Sequence, residues 1–339
     1  MKKIFKTKKS FLKKWSENKQ MFFDAKNKSF NKPCDDVAIS IQHLSVIFKT
    51  KFQTYKKAVD DLSFDVKKGQ FHGFIGNNGA GKTTTIRSIL GFYPSFIGKI
   101  YINGIDSNNA IVKSKIGYIP EISIFPTTLS AKEYLYSFAE ISKIPKEKIK
   151  SKIEDLINKF GFNISDFDKS PAFMSSGQKK SISLMQALLN DPEILILDEP
   201  AANLDPSARI VFFDNIKKLQ KEGITILISS HILDELEKYI DSYTVLSNGK
   251  LLDSGLVKDK IRNAELNTKI TFSNNAYLIE KFLKDNNINY KLDNNELFCD
   301  LKDPLTKQKL IKEITRLSLE IYELKANVYS LNSLYFEKK

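Results

Sequence analysis

Only two cysteines occur in the 339 residues, and Cys34 and Cys299 lie far apart with no metal-ligand spacing around either. A disulfide framework and a zinc site are thereby excluded, and a reducing cytosol is the expected compartment. Long apolar runs are also missing: none approaches the ~18 residues a spanning helix needs, and the stretch Ile194 to Leu197 ends in two carboxylates. Ahead of Pro33 the longest apolar run is Met21-Phe22-Phe23, too short for the core of a signal peptide, so secretion is not expected. Hydrophobic residues at 42% and charged residues at 27% leave neither a disordered chain nor an integral membrane protein. The length gives room for about two domains of ~150 residues each.

What is abundant is lysine, unevenly placed. The net charge is +13, and residues 1–36 carry eleven lysines against four acidic residues. Within this basic extension Phe11, Trp15 and Phe22 fall at roughly helical spacing. It reads either as a helix lying on an anionic membrane surface or as a solvated tail, with nucleic acid a weaker third partner.

From Val37 the pattern becomes β-rich, over Val37 to Val46 and again over Ala58 to Val66. Phe71 to Ile75 then runs into Gly76-Asn77-Asn78-Gly79-Ala80-Gly81-Lys82-Thr83-Thr84, and Ile86, Ile89 and Leu90 follow at helical spacing. Residues 129–189 read as mainly helical. Two further β-rich runs, Ile194 to Leu197 and Thr225 to Ile228, are separated by a helix of the length a parallel crossover needs. The sum is an α/β core with a helical insert. Beyond about residue 263 the order βαββαβ predicts a small ferredoxin-like α+β domain.

The run from Gly76 satisfies G-x-x-x-x-G-K-[ST]. Its glycines let successive N–H groups turn toward phosphate oxygens, Lys82 reaches the β and γ phosphates, and Thr83 ligates Mg²⁺. Ile194 to Pro200 is an apolar strand ending in Asp198 and Glu199. The first carboxylate can hold Mg²⁺ through water, and the second can polarise an attacking water. Met174-Ser175-Ser176-Gly177-Gln178 precedes a helical run and reads by itself as an N-cap. Of the three histidines, His43 and His72 lie in strand-like stretches and take a structural role.

Taken in order, the phosphate loop, MSSGQ, ILILDEP, Asn203-Leu204-Asp205 and Ile228-Ser229-Ser230-His231 resemble the ATP-binding subunits of ABC transporters over roughly residues 39–260. The resemblance implies a P-loop NTPase core with a β-rich subdomain, spanning residues 37–262 with its helical insert at about 122–190, before a C-terminal domain at 263–339. It also implies that Ser175 and Gly177 contact the γ-phosphate across a dimer interface, with Ser176 and Gln178 in the same signature. Asp205 would link the two sites, and His231 would position water and γ-phosphate with Glu199. An aromatic ring should stack on adenine; Phe48 is the first choice, with Phe52 and Tyr55 competing. The chain departs from the family's usual residues at Glu121, where glutamine is common, at Ser176 for glycine, and at Asn77 for proline. Glu121 can still accept a water bound to Mg²⁺.

The function so implied is an ATPase that dimerises on ATP and drives a separate transmembrane permease from the cytoplasmic face of the membrane, with ATP and Mg²⁺ as its cofactors. The closing segment Ser330 to Phe336 resembles exporters of the drug, polysaccharide and lipid type, and the stretch Leu44 to Val59 keeps a peptide importer as the alternative. A soluble ABC ATPase on ribosomes or DNA is the reading from a different class. It is disfavoured because only one phosphate loop occurs and only 93 residues separate Lys82 from Ser175.

Overall fold

The computed structural model describes residues 30–49, 55–162, 164–232, 236–262, 268–301 and 303–326, together with Tyr335. The helical reading of Phe11, Trp15 and Phe22, Phe52, and most of the closing segment lie outside the described residues. The chain divides into two compact units, Met1–Gly255 and Leu256–Lys339.

The first unit opens with β1 (Val37–Lys49), β2 (Tyr55–Lys67), β3 (Phe71–Ile75) and α1 (Lys82–Ile89). There follow β4 (Ile97–Ile102), β5 (Ile105–Asp106), the single turn α2 (Ala110–Lys113) and β6 (Ile116–Ile119). The helical stretch resolves into α3 (Ala131–Ile141), α4 (Lys146–Phe160) and α5 (Ser176–Leu188), with two 3-10 turns between the last two. Then come β7 (Ile194–Leu197), α6 (Pro206–Lys221), β8 (Thr225–Ser230), β9 (Ser242–Ser247) and β10 (Lys250–Leu256).

Six of these strands form one sheet in the order β10-β9-β3-β8-β7-β6, and its pairs β9-β3, β3-β8, β8-β7 and β7-β6 are all parallel. Ile194, Leu195, Ile196 and Leu197 are all fully buried, as a strand covered on both faces demands. A second, antiparallel sheet has the order β2-β1-β4-β5. One core joins the two: Ile39, Leu44 and Val59 of the small sheet pack in a single cluster with Ile86 and Ile89 of α1 and with Ile196 and Leu227. The hairpin from β9 to β10 turns on Asn248 and Gly249, whose φ values of 49° and 80° are those a two-residue primed turn requires.

Two of the three helices of the insert, α3 and α5, start in capping boxes. In α5, Ser175 Oγ accepts from Gln178 N and Gln178 Oε1 accepts from Ser175 N, so the serine-rich motif sets where this helix begins.

In the second unit α7 (Val257–Arg262) precedes β11 (Thr268–Phe272). A 3-10 turn leads into α8 (Glu280–Asp285), followed by β12 (Tyr290–Asp293), β13 (Glu296–Cys299), α9 (Pro304–Arg316) and β14 (Ile321–Ala326). The sheet order β12-β13-β11-β14, antiparallel throughout, is the ferredoxin-like arrangement that the βαββαβ order predicts. Ile270, Phe272 and Leu297 on the sheet close over Leu283, Leu310 and Ile314 on the helices.

Candidate nucleotide site

Four neighbouring parallel strands deliver the site. β3 runs into the phosphate loop, β7 into Asp198 and Glu199, β8 into His231, and β6 toward Glu121. The carboxyl ends of such strands are where open α/β sheets place their ligands. A cavity of about 600 Å³ lies there, walled by Asn78 to Thr84, Glu121, Glu199 and His231, with Lys56, Lys57 and Asn248 at its other side.

The loop's glycines are required by space and by dihedral. A Cβ on Gly76 would stand 2.4 Å from the Leu246 carbonyl oxygen, and Gly81, at φ 111°, would bring one to 2.6 Å from that of Ala58. Gly81 also caps α1 without any side-chain hydrogen bond, which leaves the first N–H groups of that helix for an anion. Asn77 does not face the cavity. Its carbonyl accepts from Lys82 Nζ at 3.3 Å, and that of Gly76 does so at 2.5 Å.

Lys82 and Glu199 are both buried and their charges meet at 2.9 Å. The other oxygen of Glu199 contacts His231 Nδ1 at 2.7 Å and accepts from His231 N at 3.3 Å. Glu199 sits at φ 45°, a left-handed conformation that costs a residue with a side chain about 1–3 kcal/mol. Behind this pair stands Ser229, fully buried. Its hydroxyl accepts from Glu199 N at 2.9 Å and donates to Asp198 Oδ1 at 2.8 Å. Thr83 Oγ1 donates to the same carboxylate oxygen at 3.1 Å.

Among the described residues no three acidic, histidine or cysteine side chains are grouped closely enough to hold a metal ion unaided. The Thr83 hydroxyl beside the Asp198 carboxylate nonetheless suits magnesium, which is held by one or two carboxylates together with substrate phosphates and water.

Phe48 does not line the cavity. Its ring packs edge-to-face on Tyr93, with centroids 5.2 Å apart, while Lys56 and Lys57 of the neighbouring strand reach the cavity wall. Tyr55, at the start of β2, is exposed and also off the wall. Ser175, Ser176, Gly177, Gln178 and Asp205 stand apart from the phosphate cavity of their own chain. Gly177 and Gln178 border a separate cavity of about 320 Å³, and Asp205 caps α6 by accepting from Ala208 N at 2.9 Å.

Two positions went unmarked by the motifs. Ser229 lies inside the ISSH run, but nothing in a uniformly buried strand tells which serine turns inward. Lys180 lies on the apolar face of α5, where Ser183 and Ala187 follow at helical spacing, and that spacing is the only signal of its burial. Its Nζ donates to the carbonyls of Pro120 at 2.8 Å and Glu121 at 2.9 Å. Burial pushes this ammonium down to about 8, against the opposing pull of the Glu121 and Asp198 charges.

A phosphate-binding loop, a strand-end carboxylate pair and a following histidine, on a parallel sheet with a helical insert, define a P-loop ATPase of the ATP-binding cassette class. The ABC transporter family model matches residues 59–202. A putative ABC transporter ATP-binding protein of Mycoplasma pneumoniae is 37% identical over 301 residues, covering 88% of this chain and 90% of its own. The bacitracin transport ATP-binding protein BcrA of Bacillus licheniformis is 40% identical over 217 residues, 62% of this chain and 70% of that protein. The Nod factor export ATP-binding protein I of Rhizobium johnstonii is 29% identical, covering 78% and 86%. Among solved structures, an ATP-binding subunit of an ABC transporter superposes with a TM-score of 0.58 at 30% identity, over 66% of this chain and 92% of its own. The chain belongs to the ATP-binding proteins of ABC transporters, and its activity is ATP binding and hydrolysis that energises transport.

Proposed function

We propose that this ATPase drives export, working at the cytoplasmic face of the membrane as a peripheral subunit on a transmembrane permease and closing on ATP with a second ATP-binding subunit. One observation carries the reading. The phosphate loop, Glu199 and His231 share a cavity, while Ser175 to Gln178 begin a helix elsewhere, so the γ-phosphate contacts expected of the signature need another subunit. The similarity to the Nod factor export ATP-binding protein I supports the outward direction. Among the described residues no helix is long and apolar enough to cross a membrane, so the permease is a separate chain in this reading.

In the proposed reaction Lys82 leaves Glu199 for the γ-phosphate. Glu199 then takes a proton from water as the water oxygen bonds to the γ-phosphorus and the bond to the β-γ bridging oxygen breaks, giving ADP and phosphate. His231 holds Glu199 in line for that transfer. Thr83, with Asp198 and Glu121 acting through water, would hold Mg²⁺, which would supply charge neutralisation at the phosphate oxygens. Ser175 and Gly177 of the second subunit, aided by Ser176 and Gln178, enclose the γ-phosphate, and Asp205 connects the two sites.

The test is recovery of the tagged chain from detergent-solubilised membranes of its own cell, with MgATP turnover measured on the recovered complex. Recovery with a multi-spanning protein and turnover abolished by Lys82→Ala is the expected result. Recovery with ribosomes or DNA and no membrane protein would overturn it, and uptake of cargo into the cell would reverse the direction.

A further inference from the structure

The loop after β6 belongs to two bodies at once, and the change of allegiance falls on a single peptide bond. Ile119 is the last residue of β6, and its carbonyl accepts from Asp198 N at 2.9 Å, which ties it to the sheet. The next two carbonyls, of Pro120 and Glu121, both accept from Lys180 Nζ on α5. A second tie follows one helical turn along, where Ser183 Oγ donates to Ser123 Oγ at 2.8 Å.

Lys180 is 6% exposed. A buried ammonium is costly unless its donors are satisfied, and for packing alone a leucine or methionine would serve better in that place. Two adjacent carbonyls drawn onto one nitrogen fix the peptide plane between Pro120 and Glu121. That plane sets the direction in which the Glu121 side chain leaves the loop, and Glu121 forms part of the phosphate cavity's wall. The helix that carries Lys180 begins in Ser175 to Gln178, one turn earlier.

We infer that Lys180 is a positioning residue: it fixes the peptide between Pro120 and Glu121 so that Glu121 is aimed into the phosphate cavity. The inference rests on the ATPase reading above.

The experiment uses the full chain in complex with its membrane partner and compares Lys180→Met and Lys180→Arg, each alone and with Glu121→Ala. The expected result for Lys180→Met is a KM for ATP within about twofold of the parent, kcat about tenfold lower, and a Mg²⁺ midpoint about fivefold higher. Lys180→Arg, which keeps the charge and the donors, restores kcat to within about threefold. In the Glu121→Ala background Lys180→Met adds less than about a twofold change, because the group through which it acts is gone. Ser183→Ala, a milder cut of the same tie, lowers kcat by about two- to threefold, again only when Glu121 is present.

Parent-like kcat and Mg²⁺ midpoint in Lys180→Met would overturn the inference. So would a tenfold loss repeated in full on the Glu121→Ala background, since that is the mark of general destabilisation. Should Lys180→Met fail to fold, a Ser183→Ala effect that persists without Glu121 would overturn it equally. Absence of any Lys82-dependent turnover in the unaltered complex would instead overturn the ATPase reading, and this inference with it.

Discussion

His72 lies in β3 directly beneath the phosphate loop and is 1% exposed. Its ring stacks on Phe64 at 5.5 Å with the planes 8° apart, and its two nitrogens meet the hydroxyls of Ser242 and Thr244 at 2.8 and 3.0 Å. Burial lowers its pKa from 6.5 to about 3. Above pH 6.5 the ring is neutral whether the chain is folded or unfolded, and it adds no pH dependence. Below that value the unfolded chain takes up a proton that the native site refuses, so stability falls with pH until the native ring itself titrates near pH 3. At pH 5, a unit and a half below the unfolded value, the loss is about 2 kcal/mol. His72→Gln removes the stacking and lowers stability at every pH, but it carries no titrating group. Melting of the unit Met1–Gly255, recognised as the transition that ATP raises at pH 7.5, should therefore drop further in the parent than in the variant between pH 7.5 and 5. At ~2–4 °C per kcal/mol for a domain of this size the extra drop is about 4–8 °C. Parallel melting curves for the two proteins would refute a neutral, proton-excluding His72.

Three other substitutions test the site and its frame. Glu199→Gln should keep ATP binding, lower turnover at least ~100-fold and leave an ATP-stabilised dimer visible by size-exclusion chromatography; parent-like turnover would remove Glu199 as the base. Ser229→Ala strips a buried N–H and a buried carboxylate oxygen of one partner each, at about 1–3 kcal/mol, and should lower both the melting temperature and kcat. Gly98→Ala should cost at least ~2 kcal/mol without changing ATP affinity of the folded protein, read by calorimetry and nucleotide titration. Gly98 has φ 106°, and a Cβ there would stand 2.5 Å from the His43 carbonyl oxygen, where β1 bulges.

The elements that carry chemistry were the legible ones. β3 and β7 fall on the residues their patterns indicate, because a fully buried parallel strand shows as an unbroken apolar run beside a motif of fixed spacing. β4, β5, β9 and β10 have no such mark in the pattern. Their residues are partly exposed or alternate poorly, and the Asn103-Gly104 and Asn248-Gly249 turns are hard to distinguish in a chain rich in asparagine. Phe48 shows a limit of another kind. Its distance along the chain suited an adenine-stacking ring, but the ring packs instead on Tyr93, a partner far along the chain that no local pattern marks. Ser229 and Lys180 act on partners 30 to 60 positions away, and contacts of that range leave no local pattern.

The whole helical insert leaves the sheet after Ile119 and rejoins it at Ile194, on two strands that pair side by side. It is therefore one uninterrupted stretch of chain, while Lys82, Asp198, Glu199 and His231 all lie outside it. Two junctions, at Pro120 and Pro192, suffice to exchange the entire insert between related proteins. Such a graft would carry Lys180 and Glu121 together as a matched pair and leave the hydrolytic residues untouched. The loop, the helix and the Ser175 to Gln178 start would thus travel as one unit, separable from the sheet that carries Lys82, Glu199 and His231.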